Sequence, residues 1–386
     1  MTPDSGSFEY LLVGGGLQSG LVALALLERR PCVRLAVIER EMRLGGNHLW
    51  CFHERDLPAS ARPFVEPLIA YRWPAHEVRF PNLTRRLAVE YAGITSDRLH
   101  EVVAARVAAS PGCALFLGAA VESVAANAVT LVDGRTIAGG LVIDSRGPEK
   151  LGASSRVAYQ KFLGLEVALA EPRPDFVPRL MDATVAQSDG YRFIYTLPLK
   201  PDRFMIEDTY YSDGPALERE HLRQEILAYA RGIGLCVASV EREEVGVLPL
   251  TTRAEAQPLR DGVVVGGYAG GWFHATTGYS FPLALRLAMH VASHDPSEVL
   301  GQEWRRLIAR RQYQARFFNL LNRMLFGAIA PEKRWAVFER FYRLPEAAIA
   351  RFYAMDVTTL DRLRILVGRP PAGISMRTAL AEILRR

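Results

Sequence analysis

The run Val13-Gly14-Gly15-Gly16-Leu17-Gln18-Ser19-Gly20 constrains this chain more than any other stretch. It follows Phe8–Val13, an apolar run that reads as a buried strand, and it opens Leu17 to Arg30, which has helical periodicity and is closed by Pro31. Val33 to Ile38 reads as a second strand ending in the charged pair Glu39-Arg40. Strand, turn, helix and strand in that order are one βαβ crossover. Gly14 and Gly16 allow a tight turn and let the backbone approach a pyrophosphate, with the free N–H groups of the helix start aimed at it. Ser19 fills the third place of the fingerprint, where only a small residue is needed, and Gly20 follows. Glu39, 19 residues beyond Gly20, stands where an acid accepts hydrogen bonds from an adenosine ribose. A dinucleotide-binding α/β domain is expected.

Hydrophobic runs return at Leu141-Val142-Ile143 and Val263-Val264-Val265, and both read as later strands of the same domain. Helical sequence recurs around 96–108, and Asp133-Gly134 marks a turn between strand signals. From Tyr159 to Val247 the pattern changes to longer strands with turns between them. Tyr191 to Leu199 and Phe204 to Tyr211 form a hairpin around Lys200-Pro201-Asp202. Beyond residue 300 the chain is mainly helical. The expected architecture is α/β, with a Rossmann-like nucleotide domain in two pieces (8–158 and 246–299). A β-rich substrate domain (159–245) is inserted between them, and a helical, basic C-terminal region (300–386) follows.

Charge is unevenly spread. Residues 301–386 hold 17 basic and 7 acidic side chains, against 30 and 35 in the remainder. A basic tail on an acidic body suggests either an anionic partner or a solvated helical surface. The polar N-terminus MTPDSGSFEY does not read as a secretory signal, and no apolar window is long enough to span a bilayer. Four scattered cysteines, with no metal-ligand spacing, place the chain in a reducing compartment. No bound metal is expected, and no nucleic-acid module is recognisable.

The N-terminal glycine loop, Ile143-Asp144-Ser145-Arg146-Gly147 at a strand end and the Gly-rich segment near 266–280 together resemble the glutathione-reductase-type flavoproteins. The resemblance implies FAD. Flavin hydroxylases of that group carry a Gly-Asp pair after the last strand, whereas this chain reads Gly266-Gly267-Tyr268-Ala269-Gly270.

Three further stretches resemble the bacterial lycopene β-cyclases of the FAD-dependent lycopene cyclase family. They are Gly45 to His53 (GGNHLWCFH), Met181-Asp182-Ala183-Thr184 with Gln187 to Pro198 and Phe204 to Tyr211, and Ala269 to Pro282. The resemblance implies an isomerase-type enzyme that closes the ψ-end groups of lycopene into β-rings, giving β-carotene through γ-carotene. It implies reduced FAD, with NAD(P)H as reductant, and cofactor contacts at Gly46, Asn47, His48, Asp144, Gly147, Gly267, Thr277, Gly278 and Tyr279. The alternative is a redox flavoenzyme, an isoprenoid reductase or a monooxygenase.

Glu207 stands out chemically. Strand alternation puts it on one face with Met205, Thr209 and Tyr211, and puts Asp208 on the other. A carboxyl on an apolar, aromatic face keeps its proton at neutral pH, as protonation of an alkene requires. The competing expectation is a structural ion pair with Arg192 or Arg203. His274 is either a base beside the flavin or a satisfied structural histidine. Glu166, Tyr195, Trp272 and Phe273 are expected around the substrate, the aromatic rings stabilising a cation.

A C40 hydrocarbon stays in the bilayer, so the enzyme must come to it. Arg305, Arg306, Arg310, Arg311 and Arg316, interleaved with Phe317, Phe318, Leu320, Leu321, Leu325 and Phe326, suggest an interfacial helix. The expected location is cytoplasmic, at the inner face of the cell membrane.

Overall fold

The computed structural model describes residues 8–147, 158–252 and 262–367. Its first sheet has the order β8 (Ala114–Phe116), β2 (Leu35–Ile38), β1 (Phe8–Val13), β11 (Thr136–Asp144), β10 (Ala128–Leu131), β9 (Val121–Ala125). The first four are parallel neighbours, and β17 (Val263–Val265) joins β11 in parallel. The inner half of β11 is fully buried while its start is not, as expected of a strand that leaves a parallel core to join a hairpin. Helices α1 (Leu17–Arg29), α3 (Ser96–Ala108) and α5 (Phe281–Ala292), with the single turn α2 (Arg62–Val65), share one core with this sheet. Gly20 serves the packing of α3, because a Cβ there would lie 2.7 Å from Leu99 Cδ1.

The second sheet runs β16 (Val237–Leu250), β12 (Ala158–Leu169), β15 (Arg203–Ser212), β14 (Tyr191–Lys200), β13 (Arg179–Asp182), β5 (His76–Phe80), β6 (Leu83–Leu87). It takes in more chain than 159–245, drawing two strands from 76–87 and following β16 to Leu250. Between its strands lies α4 (Arg219–Gly232), where strands alone were expected. The charge-rich sequence hides three apolar residues at helical spacing, Leu222, Ile226 and Ala230, which pack on Leu163, Leu165 and Ile206. A third, small sheet, β3 (Leu49–His53), β7 (Tyr91–Thr95), β4 (Tyr71–Trp73), lies over the opposite face of the second sheet.

The C-terminal part is α6 (Gln302–Ala328), α7 (Trp335–Phe341), α8 (Glu346–Tyr353) and α9 (Thr359–Leu366). The interfacial face expected on α6 is corrected here. Phe317, Phe318 and Leu325 are buried in the protein core, and only the arginine side of α6 is outward. The helix spends its apolar stripe on the other helices and the two larger sheets. Exposed apolar side chains gather instead on α9, at Leu360 and Leu363, and at Val367 just after it, with Tyr313 of α6 nearby under the Arg362 guanidinium. Residues beyond 367 of the basic tail lie outside the described residues.

Candidate active site

At the N-terminus of α1, Gly14 has φ +87° and packs against the backbone of Ser145 and Arg146, where a Cβ would come within 3.0 Å. Gly16 caps the helix with open space ahead of it, and the first turn holds no acid. Glu39, at the end of β2, reaches back so that its carboxylate accepts the Gly15 N–H (2.5 Å) and the Glu41 N–H (2.9 Å). Arg40 beside it is exposed. Asp144 ends β11 with its carboxylate held by Arg146 (2.9 Å), and Gly147 follows in open space. Gly267 has φ +55°.

Four buried polar atoms around these loops have no hydrogen-bond partner among the described residues: Gln18 Oε1, Ser19 Oγ, Ser145 Oγ and Gln160 Oε1. Two of them adjoin glycines, since a Cβ on Gly266 would lie 2.3 Å from Ser145 Oγ and one on Gly278 would lie 2.8 Å from Gln160 Oε1. Buried polar atoms rarely stay unsatisfied. Open space at Gly16 and Gly147, such atoms nearby and a helix N-terminus with no acid in its first turn fit an extended dinucleotide.

The second sheet supplies the reactive face. Its register puts Tyr195 of β14, Glu207 of β15, Gly164 of β12 and Glu244 of β16 in one row. Neighbours in a row share a face, so Tyr195 and both glutamates point the same way. Over them lies β3, whose alternation turns Leu49, Cys51 and His53 to this face and Phe52 onto Phe281 of α5, with ring centroids 3.8 Å apart.

Glu207 makes no ion pair among the described residues. Both suspected partners are engaged elsewhere: Arg192 clamps Asp208 on the other face (2.9 and 2.7 Å), and Arg203 lies 3.5 Å from Glu166. Among the described residues, the Glu207 carboxylate accepts only the Thr209 hydroxyl (2.6 Å). Some of its surface stays accessible, yet protein encloses the carboxyl. Desolvation, with the nearby Glu244 charge adding to it, pushes its pKa up to about 8. Burial likewise pushes the Cys51 thiol up to about 12. Tyr195 donates to the Tyr91 hydroxyl (3.2 Å), and Tyr91 stacks obliquely on His53 (4.9 Å). Desolvation takes His53 down to about 3, so its ring is neutral. Trp73 completes the aromatic wall at 6.0 Å from Tyr91.

The remaining residues fall in other places. Glu166 shares the Glu207 face but is tied to Arg203 and Arg242 (3.4 Å). His48 Nδ1 meets Glu244 (2.8 Å), and the Asn47 amide donates to the Glu243 carbonyl (2.9 Å), so the Gly46 loop (φ +62°) is pinned to the edge strand β16. His274 is fully buried. Its Nδ1 accepts the N–H groups of Thr276 (3.1 Å) and Thr277 (3.2 Å), and its Nε2 lies 2.9 Å from the Phe352 carbonyl. Both nitrogens are used, and desolvation lowers its pKa to about 3. Tyr279 accepts from the His53 N–H (2.9 Å) and donates to Asp56 (2.5 Å), whose pKa burial raises to about 6. Phe273 stacks on Tyr268 at 3.9 Å. Trp272 is not brought to Glu207. It is buried under Arg311 (4.6 Å) and lines a cavity of about 760 Å³ between α5, α6 and α8, together with Asp56, Leu283, Arg286 and Met355.

Four residues around the reactive face, Cys51, Trp73, Tyr91 and Glu244, escaped sequence reasoning. Cys51 lay inside a motif already singled out, and the alternation of Leu49–His53 was the signal that could have found it. Tyr91 and Glu244 carry no local signal, because only strand register brings them to Glu207.

Comparison with known proteins agrees with this architecture. A family model described as lycopene cyclase protein matches residues 10–379. The chain is 44% identical over 379 residues to the lycopene beta-cyclase of Pseudescherichia vulneris, covering 96% of this chain and 97% of that one. It is 42% identical over 371 residues to the lycopene beta-cyclase of Pantoea ananas, covering 95% and 96%. Among solved structures, a flavin-dependent brominase superposes with a TM-score of 0.61 over 91% of this chain and 94% of its own, at 13% identity, which speaks for a shared fold. With the family model spanning nearly the whole length and relatives this similar end to end, the chain belongs to the lycopene cyclase family.

Proposed function

We propose that this protein is a lycopene β-cyclase that closes the ψ-end groups of lycopene by acid–base chemistry without net redox change, forming β-carotene through γ-carotene. The observation that carries the reading is Glu207, an enclosed carboxyl with a pKa raised to about 8, free of cationic partners among the described residues, on a face with Tyr195 and beneath Tyr91. At neutral pH it holds a proton. Delivered to the terminal double bond, that proton creates a tertiary cation, the next double bond attacks it, and loss of a ring proton restores neutrality. The aromatic wall around the face stabilises positive charge by about 0.5–2 kcal/mol per ring and keeps water from trapping the cation.

The glycine loops fit FAD. Gly14, Gly16 and the α1 N-terminus would take the pyrophosphate, Glu39 the ribose, and the loops carrying Gly46, Asn47, His48, Gly147, Gly267, Thr277 and Gly278 the remainder. Bound there in its reduced, anionic form, with NAD(P)H as the reductant, FAD would supply negative charge that favours a cation. His274 acts as a positioning residue, gathering the 274–277 loop and tying it to α8.

For the membrane, exposed Leu360, Leu363 and Val367, with Arg364 exposed on α9 and Arg305, Arg306 and Arg310 exposed on α6, support peripheral attachment to an anionic surface. No helix among the described residues is long and apolar enough to cross a bilayer.

Expression in cells that accumulate lycopene tests the assignment. β-Carotene is the expected pigment, whereas a saturated or oxygenated product would assign the chain to redox chemistry instead.

A further inference from the structure

Ring closure releases one proton for each proton given, so a donor carboxyl works repeatedly only if something accepts the released proton and returns it. We infer that Glu244, held by His48, accepts the proton lost from the new ring and passes it back to Glu207 through the gap that Gly164 leaves in the sheet. The inference rests on the cyclase reading and adds a residue to it.

The geometry is that of two carboxyls in one row with only a glycine between them. Gly164 pairs with Glu207 on one side and with Glu244 on the other. Strands lie about 4.8 Å apart, so the two glutamate backbones are separated by about 10 Å, a span that two inward-leaning side chains close. A glycine at the intervening position leaves their approach open. A methyl group there would already sit 3.2 Å from Met205 Sδ and 3.6 Å from Glu207 Oε2. The two carboxyls also sense each other electrostatically, and the Cys51 thiol above the row senses both.

Their surroundings are opposite in kind. Glu207 has one hydroxyl donor, Thr209. Glu244 is nearly buried but meets His48 Nδ1 at 2.8 Å through one oxygen and the Leu49 N–H at 3.3 Å through the other. Both its oxygens are engaged by partners where Glu207 has one, and two carboxyls in contrasting environments are the usual division between acid and base. His48 is half exposed, which opens the pair to solvent protons. The cycle balances. Glu207 gives its proton to the terminal alkene carbon, the second double bond supplies the electron pair for the ring bond, and the resulting cation loses a neighbouring C–H proton to Glu244. Transfer from Glu244 to Glu207 then restores the starting state.

The test uses flavin-loaded protein and lycopene in anionic phospholipid vesicles, with the unsubstituted holoprotein in parallel. Failure of the cyclase reading would show in that parent, whereas failure of this inference shows only in the variants. Glu244→Gln is expected to lower kcat by about 10²–10³ fold with flavin content unchanged. Gly164→Ala is expected to slow turnover as well, and added formate should restore Glu244→Ala by about tenfold or more, as replacement of a missing proton acceptor requires. A Glu244→Gln protein turning over within about threefold of the parent overturns the inference. Loss of flavin from it does so too, since Glu244 would then belong to the cofactor cradle. A flavin-replete Glu244→Ala protein that formate does not rescue is equally fatal.

Discussion

Glu207 and Asp208 are consecutive residues on opposite faces of β15, and the fold treats their carboxyls in opposite ways. Asp208 is fully buried and clamped through both oxygens by Arg192, which also reaches Glu225 (2.9 Å), while Glu207 has a single hydroxyl for company. Strand alternation thus separates a structural acid from a chemical one within two residues.

The raised pKa of Glu207 sets a pH profile. The donor must carry its proton, so kcat is expected to be flat below pH 8 and to fall about tenfold per unit above it. Stability follows the same group. Between the ordinary carboxylate range and about 8, the folded state holds a proton that the unfolded state has released, so the contribution of Glu207 to stability declines as pH rises through that window. Melting curves of the parent and Glu207→Gln at pH 5.5 and pH 9 check the sign. The variant is expected to gain on the parent more at pH 9 than at pH 5.5.

Breaking the pair on the other face has a different result. Arg192→Met strands a fully buried carboxylate, and urea unfolding should show a loss of about 3–5 kcal/mol. The Glu207 variants should show no such loss.

The cofactor site is tested at Gly16. Its φ is −78° and a Cβ added there would meet nothing within 4 Å, so Gly16→Val is expected to fold with an unchanged melting temperature in the absence of flavin. The valine would project ahead of the α1 N-terminus, where a pyrophosphate needs backbone contact. Flavin absorbance of the purified variant should be lost.

Membrane attachment is tested on α9. The double change Leu360→Asp and Leu363→Asp, at two exposed positions, should weaken sedimentation with anionic vesicles about tenfold or more, and raised salt should weaken it further. The reaction in detergent should be unaffected.

Much of this was legible in the sequence, for identifiable reasons. The first βαβ unit and the β14–β15 hairpin announce themselves through local pattern, namely a glycine turn between periodic runs and two alternating strands around Pro201. Glu207 was legible because alternation is a local property. Glu244 was not, because its place beside Glu207 depends on β16 pairing with β12 across more than 70 residues of intervening chain. The α6 stripe was misplaced for a related reason: Phe317 and Phe318 look the same in sequence whether they face lipid or protein, and only packing turns them inward. Helix α4 was hidden by its charge, since only three of its 14 residues form the buried apolar stripe.

The most direct measurement is the turnover of lycopene by flavin-loaded Glu207→Gln protein beside the parent. Glutamine keeps the shape and removes the proton. The account predicts a loss of about 10³-fold or more in β-carotene formation with flavin still bound, and a Glu207→Gln protein that cyclises lycopene within about threefold of the parent rate contradicts it.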